Sequence, residues 1–285
     1  MLFRSYYWPT RARERFKVPL NRDDGPIWTF ARMGRTRTEL PDGRVVCIGG
    51  EHEDSYDPDF FIYNDVVVFG PGEQIAIYGY PKEIFPPTDF HTASLIGNHI
   101  IIVGCLGYLD QRRPGHTPVY ALDLTDFHIS RVQTTGESPG WIFEHEAEVS
   151  SDGIITIRGG QLIEERDGKQ QFRRNLEEFA LDTRSSTWRQ LTHRNWLQFF
   201  IRPQDPMRFI RGRELETESL YPRQIEHTPE PCDEWRMIRF LVQGVWVTVI
   251  RDLREIEIII EGELRAELVN RLTENIRANM EAVIE

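Results

Sequence analysis

Three glycines, Gly49, Gly104 and Gly159, stand 55 residues apart, twice in succession. Each ends an apolar run: VVCIGG at 45–50, IIIVGC at 100–105 and IITIRGG at 154–160. Each run is preceded by a two-residue turn signal, Asp42-Gly43, Gly97-Asn98 or Asp152-Gly153. Glycine and asparagine take positive φ at little cost, so these dipeptides favour tight hairpins. A period of this length implies an array of supersecondary units that bury their apolar faces against one another.

Each unit reads as four short strands. The first runs into the turn, and the second is the apolar run ending in glycine. The third is NDVVVFG at 64–70, TPVYALDL at 117–124 and NLEEFALD at 175–182, and the fourth starts near Ile75, Ile129 and Trp188. Many short strands at even spacing predict an all-β array. Second strands that are apolar at every position predict burial on both faces, as in sheets packed radially about an axis.

These units resemble kelch repeats. That family's pattern is a hydrophobic strand ending in a Gly-Gly doublet, an aromatic residue a dozen or more positions later, and a Trp beyond a short turn. Gly49-Gly50 and Gly159-Gly160 match the doublet, Tyr120 and Phe179 the aromatic, and Trp188 the Trp. TTGESPG at 134–140 resembles a linker between blades, and FHTASLIGNHIIIVG at 90–104 resembles a blade's inner hairpin. Cys105, Val67, Ile75 and Ile129 depart from the pattern while keeping apolar volume. The resemblance implies a mainly β fold: a truncated kelch-like β-propeller with three recognisable blades over residues 26–192. Three blades cannot close a ring, so two sheet edges need cover. A second copy could supply it by closing a homodimer, or the C-terminal segment could.

The flanks differ from the repeats. Residues 1–25 form a basic, aromatic N-terminal arm, with six Lys and Arg against three acidic residues. Such an arm could stack on RNA bases, but docking on its own domain or on a second copy is the expectation. Residues 193–232 carry Pro203, Pro206, Pro222, Pro229 and Pro231 and read as an irregular connector. Residues 233–285 read as a small α+β domain. It has three strands at 236–242, 245–250 and 255–261, then a helix at 263–284 with Leu264, Leu268, Leu272, Ile276, Met280 and Val283 on one face. In the third strand Ile256, Ile258 and Ile260 are expected to face one side, and Glu255, Glu257 and Glu261 the other.

The net charge is −11, and residues 26–192 carry 25 acidic against 15 basic side chains. That disfavours nucleic acid and favours a basic macromolecule. No apolar run reaches membrane-span length, and the N-terminus lacks a signal-peptide core, so no membrane partner and a cytoplasmic location are expected. Of the three cysteines, Cys47 and Cys105 sit in strands that read as buried, and Cys232 lies between prolines. All three are expected to be thiols.

Strand order fixes two faces. The tight turns share one, and the long second-to-third loops at 51–63, 106–116 and 161–174 share the other. Long loops on a rigid scaffold concentrate binding residues. The candidate partner-binding residues are therefore Glu51, His52, Glu53, Asp54 and Tyr56 in the first loop, Asp110, Arg112 and Arg113 in the second, and Glu164, Glu165 and Arg166 in the third. Arg35, His91 and His145 occupy matching positions where the first strands begin, at the expected channel mouth. Two histidines beside Glu144 or Glu146 suggest a metal, and the acidic residues at 51–60 a calcium ion. Arg35 opposes the first, and the spacing fits no EF-hand loop, so no metal and no cofactor are expected.

No HExxH, GxSxG, P-loop or dinucleotide fingerprint is present. The expected function is a protein-interaction module, not an enzyme, gripping a macromolecular partner through the looped face. The alternatives are a sugar-directed kelch enzyme such as a sialic-acid mutarotase, and an acidic protein that neutralises a basic toxin.

Overall fold

A computed structural model describes residues 28–52, 60–72, 74–166, 168–203, 205, 210, 237–252 and 254–283. The basic arm, Cys232 and most of the Pro-rich connector lie outside these residues. The chain divides into two compact units, residues 1–192 and 193–285.

The fold is mainly β, built from several antiparallel sheets. In chain order the first unit holds β1 (Thr36–Glu39), β2 (Val45–Ile48), β3 (Glu51–His52), β4 (Phe61–Ile62), β5 (Asp65–Phe69), β6 (Ile75–Gly79), β7 (Thr92–Ile96), β8 (His99–Val103), β9 (Val119–Asp123) and β10 (Ile129–Arg131). It continues with β11 (Thr135–Gly136), β12 (Trp141–Phe143), β13 (Glu146–Val149), β14 (Ile154–Arg158), β15 (Gln161–Arg166), β16 (Lys169–Arg174), β17 (Phe179–Asp182) and β18 (Thr187–Gln190).

Each repeat forms one sheet. Sheet I has the order β1-β2-β5-β6, sheet II β7-β8-β9-β10, and sheet III β13-β14-β17-β18, extended by β11. β11 comes from the linker after sheet II and runs parallel to β18. The first strands β1, β7 and β13 adjoin in that order. The hairpins fall where the two-residue turns place them, with Glu39 paired to Val45, Ile96 to His99 and Val149 to Ile155.

Alternation along the strands sends successive side chains to opposite faces. Val46, Ile48, Val66 and Val68 of sheet I share a core with Ile100, Ile102, Tyr120 and Leu122 of sheet II. The opposite face of sheet II, through Ile101, Val103 and Val119, shares a second core with Ile155, Ile157, Phe179, Leu181 and Trp188 of sheet III. Sheet II is thus buried on both faces, which is why HIIIV in β8 is apolar at every inner position. Cys47 and Cys105 are buried thiols, and burial pushes both up in pKa.

The second unit contains β19 (Leu197–Ile201), β20 (Met237–Val242), β21 (Val245–Arg251), β22 (Ile256–Ile260) and the helix α1 (Ala266–Val283). The sheet order is β19-β22-β21-β20. One expectation needs correction here. Part of the proline-punctuated segment is ordered, because β19 pairs along the whole of β22. Every residue of β22 is buried, Glu257 included. Gln198 of β19 donates to the Glu257 carboxylate, which satisfies that charge inside the sheet. On α1, Leu268, Leu272, Ile276 and Met280 are buried against this sheet, at the helical spacing that brings them onto one face. Among the described residues no helix is long and apolar enough to cross a membrane.

Candidate functional site

The three long loops come together as one platform. In the first, β3 and β4 form a two-stranded ribbon, with Glu51 opposite Ile62. Met33 closes its outer side through two backbone hydrogen bonds to Glu51, of 2.8 and 2.9 Å. In the second loop, the Ile62 N–H donates to the Tyr108 hydroxyl at 2.8 Å, and the Phe60 ring meets Tyr108 edge-on at 5.8 Å. The third loop is no loose segment: β15 and β16 pair over their full length, and β12 pairs with β15. Gln170 of β16 donates to the Leu109 carbonyl at 3.4 Å, and the Arg112 guanidinium lies 5.7 Å from the Phe172 ring centre.

Beneath the platform, Asp89 is fully buried. Its Oδ1 accepts the Gly107 N–H at 2.7 Å, and its backbone carbonyl accepts the Leu106 N–H at 3.1 Å. Burial raises the Asp89 pKa despite these bonds. Arg112 donates to the Leu106 and Gly107 carbonyls at 3.1 Å each, and Trp141 Nε1 also donates to Leu106 O. The second loop is therefore held from below by one carboxylate and from its own side by one guanidinium.

The platform sorts the candidate residues. Asp110, Arg113, Glu164, Glu165 and Arg166 are exposed on it. Glu164 pairs with Arg173 at 3.3 Å. Arg112 is half-buried with its donors committed to the loop backbone, so it supports the surface instead of presenting a free charge. Glu51 is 8% exposed and His52 is half-buried, with Nδ1 2.8 Å from the Ala31 carbonyl oxygen. Glu53, Asp54 and Tyr56 lie outside the described residues.

His91 and His145 are buried at 5% and 6% exposure, which removes both from a partner's reach. His91 Nε2 lies 2.8 Å from Thr36 Oγ1, and His145 Nε2 lies 2.9 Å from Thr92 Oγ1. Each histidine thus clasps the first strand of the preceding sheet. Desolvation lowers their pKa values, to about 3 for His91 and about 4 for His145, so both are neutral at neutral pH. Arg35, at the matching position, is half-buried and stacks 4.0 Å above the Phe30 ring. Among the described residues no group of three His, Cys, Asp or Glu side chains is placed to hold a metal ion.

Attention to charge missed the platform's apolar part. Phe60, Phe61, Leu109 and Phe172 are 44%, 37%, 65% and 47% exposed. Phe60 touches Tyr108, the neighbour of Leu109, and Leu109 is tied to the strand that carries Phe172. These large apolar side chains, one or two from each long loop, are exposed on the platform, which also exposes the charged residues Asp110, Arg113 and Glu164. The sequence signal was large apolar residues inside polar loops, where no core requires them.

No family model matches the chain, and no curated protein matches it. Among solved structures, YjhT is 10% identical with a TM-score of 0.36, over 78% of this chain and 63% of that chain. A GH32 β-fructofuranosidase of Bombyx mori, BmSUC1, is 10% identical with a TM-score of 0.37, over 81% of this chain and 48% of that chain. The chain thus spans less than two thirds of the length of either neighbour.

Proposed function

We propose that this protein is an interaction module in which three kelch-like blades carry a loop platform that binds a protein partner. The observation that carries this reading is the exposure of Phe60, Phe61, Leu109 and Phe172 on three loops whose described residues are joined to one another. Locked loops lose little conformational entropy on binding, so contact area there converts efficiently into affinity. An apolar centre with a charged rim is the usual anatomy of a protein interface. The excess of acidic residues in the repeats favours a partner with basic residues around its own apolar contact. The sheets suit this task because a radial array, as in a propeller, fixes loops from separate units on one face.

The test compares two surface variants in capture from the native host, with a binding assay on the purified pair. Phe60→Ser together with Leu109→Ser is expected to lose the captured protein, with affinity falling at least tenfold. A double variant at the tight turns, Asp126→Lys with Asp152→Lys, is expected to retain it. Loss of the partner by the turn variant with retention by the platform variant overturns this assignment of the binding face.

A further inference from the structure

The contacts that join one sheet to the next repeat in detail, and the third set is left open. Where sheet II meets sheet I, Gly50 N–H donates to Thr88 O at 2.8 Å, Phe90 N–H donates to Gly34 O at 2.7 Å, and His91 clasps Thr36. Where sheet III meets sheet II, the same places hold Cys105 N–H to Ile142 O at 3.0 Å, Glu144 N–H to Phe90 O at 2.8 Å, and His145 on Thr92. Gly34, Phe90 and Glu144 share a left-handed backbone, with φ of 61°, 48° and 55°. The entering chain therefore turns in the same way at every sheet.

Among the described residues, sheet III carries the next socket without a guest. Its counterparts of Gly50 N–H and Phe90 O are Gly160 N–H and Glu144 O, and neither has a backbone hydrogen bond among the described residues. A methyl group placed on Gly49 would lie 2.1 Å from Thr88 O, and one on Gly104 2.3 Å from Ile142 O. One placed on Gly159 would meet nothing within 4 Å. The glycine that admits a neighbouring strand is thus retained where no strand arrives among the described residues. The outer face beside it forms an open cavity of about 360 Å³ lined by Glu146, Ala147, Glu148, Thr156 and Arg158.

The guest that fits is on the same chain type. In the series Thr36, Thr92, Glu146 the third member is acidic, and in the series Arg35, His91, His145 the first member is basic. Arg37, one step further along the same face of β1, is 57% exposed, and Glu148 stands one step beyond Glu146. Arg37 pairs with Glu39 at 2.6 Å and Glu146 with Arg158 at 3.0 Å within their own sheets, all four exposed, so docking exchanges these solvated pairs for Arg–Glu pairs across the junction. The backbone matches as well, because Gly34 N–H donates no backbone bond among the described residues and Glu144 O receives none.

We infer that sheet III docks sheet I of a second copy, with Arg35 and Arg37 of one copy on Glu146 and Glu148 of the other. Two such junctions related by a twofold axis close a ring of two chains.

The full-length chain is measured by light scattering and native mass spectrometry, and twice the mass of one chain is expected. Glu146→Arg alone and Arg35→Glu alone are each expected to give single chains, because each puts like charges at both junctions. Mixing the two variants restores opposite charges at both junctions, so a mixed dimer of one chain of each is expected. If Arg35→Glu fails to fold by circular dichroism, Arg37→Glu and Glu148→Arg, both at exposed positions, replace the pair. A wild-type single chain overturns the proposal, with crosslinks from Glu146 or Glu148 to residues 193–285 identifying the chain's own second unit as the guest. A dimer that survives Glu146→Arg, or a mixture that stays as single chains, also overturns it.

Discussion

His91 Nε2 lies 2.8 Å from the hydroxyl of Thr36, a residue 55 positions earlier and in the preceding sheet. The bond ties the residue that precedes β7 to the first residue of β1 in the neighbouring sheet. His145 repeats it on Thr92 at 2.9 Å. Both histidines are almost fully buried, which makes the clasp structural and leaves no solvent to replace a lost partner.

Removing the hydroxyl therefore leaves a buried ring nitrogen without its partner. Thr36→Val and Thr92→Val keep side-chain shape and are each expected to cost about 1–3 kcal/mol. Chemical denaturation of each variant, followed by near-UV circular dichroism, checks this. A cost within about 0.5 kcal/mol, typical of a surface substitution, would show that the clasp contributes nothing.

The same burial sets a dependence on pH. In the unfolded chain both histidines bind a proton near pH 6.5, whereas in the fold His91 waits until about pH 3 and His145 until about pH 4. Between these values the unfolded state binds more protons, so stability falls as pH falls. Each histidine contributes a slope of up to about 1.4 kcal/mol per pH unit in that window. Asp89, whose pKa is raised, acts in the opposite sense: its charged form is the disfavoured one, so stability is lost as pH rises through its folded value. The histidine part is isolated by comparing the wild type with His91→Asn/His145→Asn from pH 6.5 to 4.5. A shallower slope is expected in the double variant, and identical slopes would refute the assignment.

The hairpins of sheets I to III were legible because turn dipeptides and apolar runs both point to one register. Gly43, Gly97 and Gly153 all take positive φ, as hairpin turns of that kind require. The β15–β16 hairpin was also within reach: Asp167-Gly168 is a hairpin dipeptide between two alternating segments. Reading 161–174 as a loop tip obscured it. β11 offered no such signal, since two residues pairing in parallel with β18 leave no pattern in sequence. The candidate site was read through charge, and charge misled where a distant segment supplies the cover. Met33 covers Glu51 from 18 positions upstream in an isolated bridge. Arg112 looked like a loop-tip cation, yet carbonyls of its own loop take its donors.

One phenol joins the first loop of the platform to the second. Ile62 is 1% exposed, and its N–H donates to Tyr108 at 2.8 Å, the bond that joins the first loop to the second. Tyr108→Phe keeps the ring contact with Phe60 and removes only the acceptor. Faster hydrogen exchange at Ile62 is expected, by roughly fivefold or more, the equivalent of about 1 kcal/mol of lost protection. Exchange within β8 and β9 should stay as in the wild type. Unchanged exchange at Ile62 would show that the ribbon holds without this bond.

The repeated glycines separate the cost of strain from the cost of a blocked neighbour. Gly49, Gly104 and Gly159 have similar φ, of 55°, 73° and 62°, so alanine imposes comparable backbone strain at each. Only the first two would also drive a methyl group into the carbonyl of the adjoining sheet. Gly49→Ala and Gly104→Ala are therefore expected to be the severe substitutions, losing the native near-UV spectrum or several kcal/mol. Gly159→Ala should cost only the strain, about 1–2 kcal/mol within one chain. In the dimer the same methyl group stands where a second copy's first strand enters, so Gly159→Ala should also weaken association by tenfold or more. Chemical denaturation and dilution-dependent light scattering on the three variants read the two effects separately. If Gly159→Ala proves as severe as Gly104→Ala in fully dissociated protein, the socket on sheet III is already filled within the single chain.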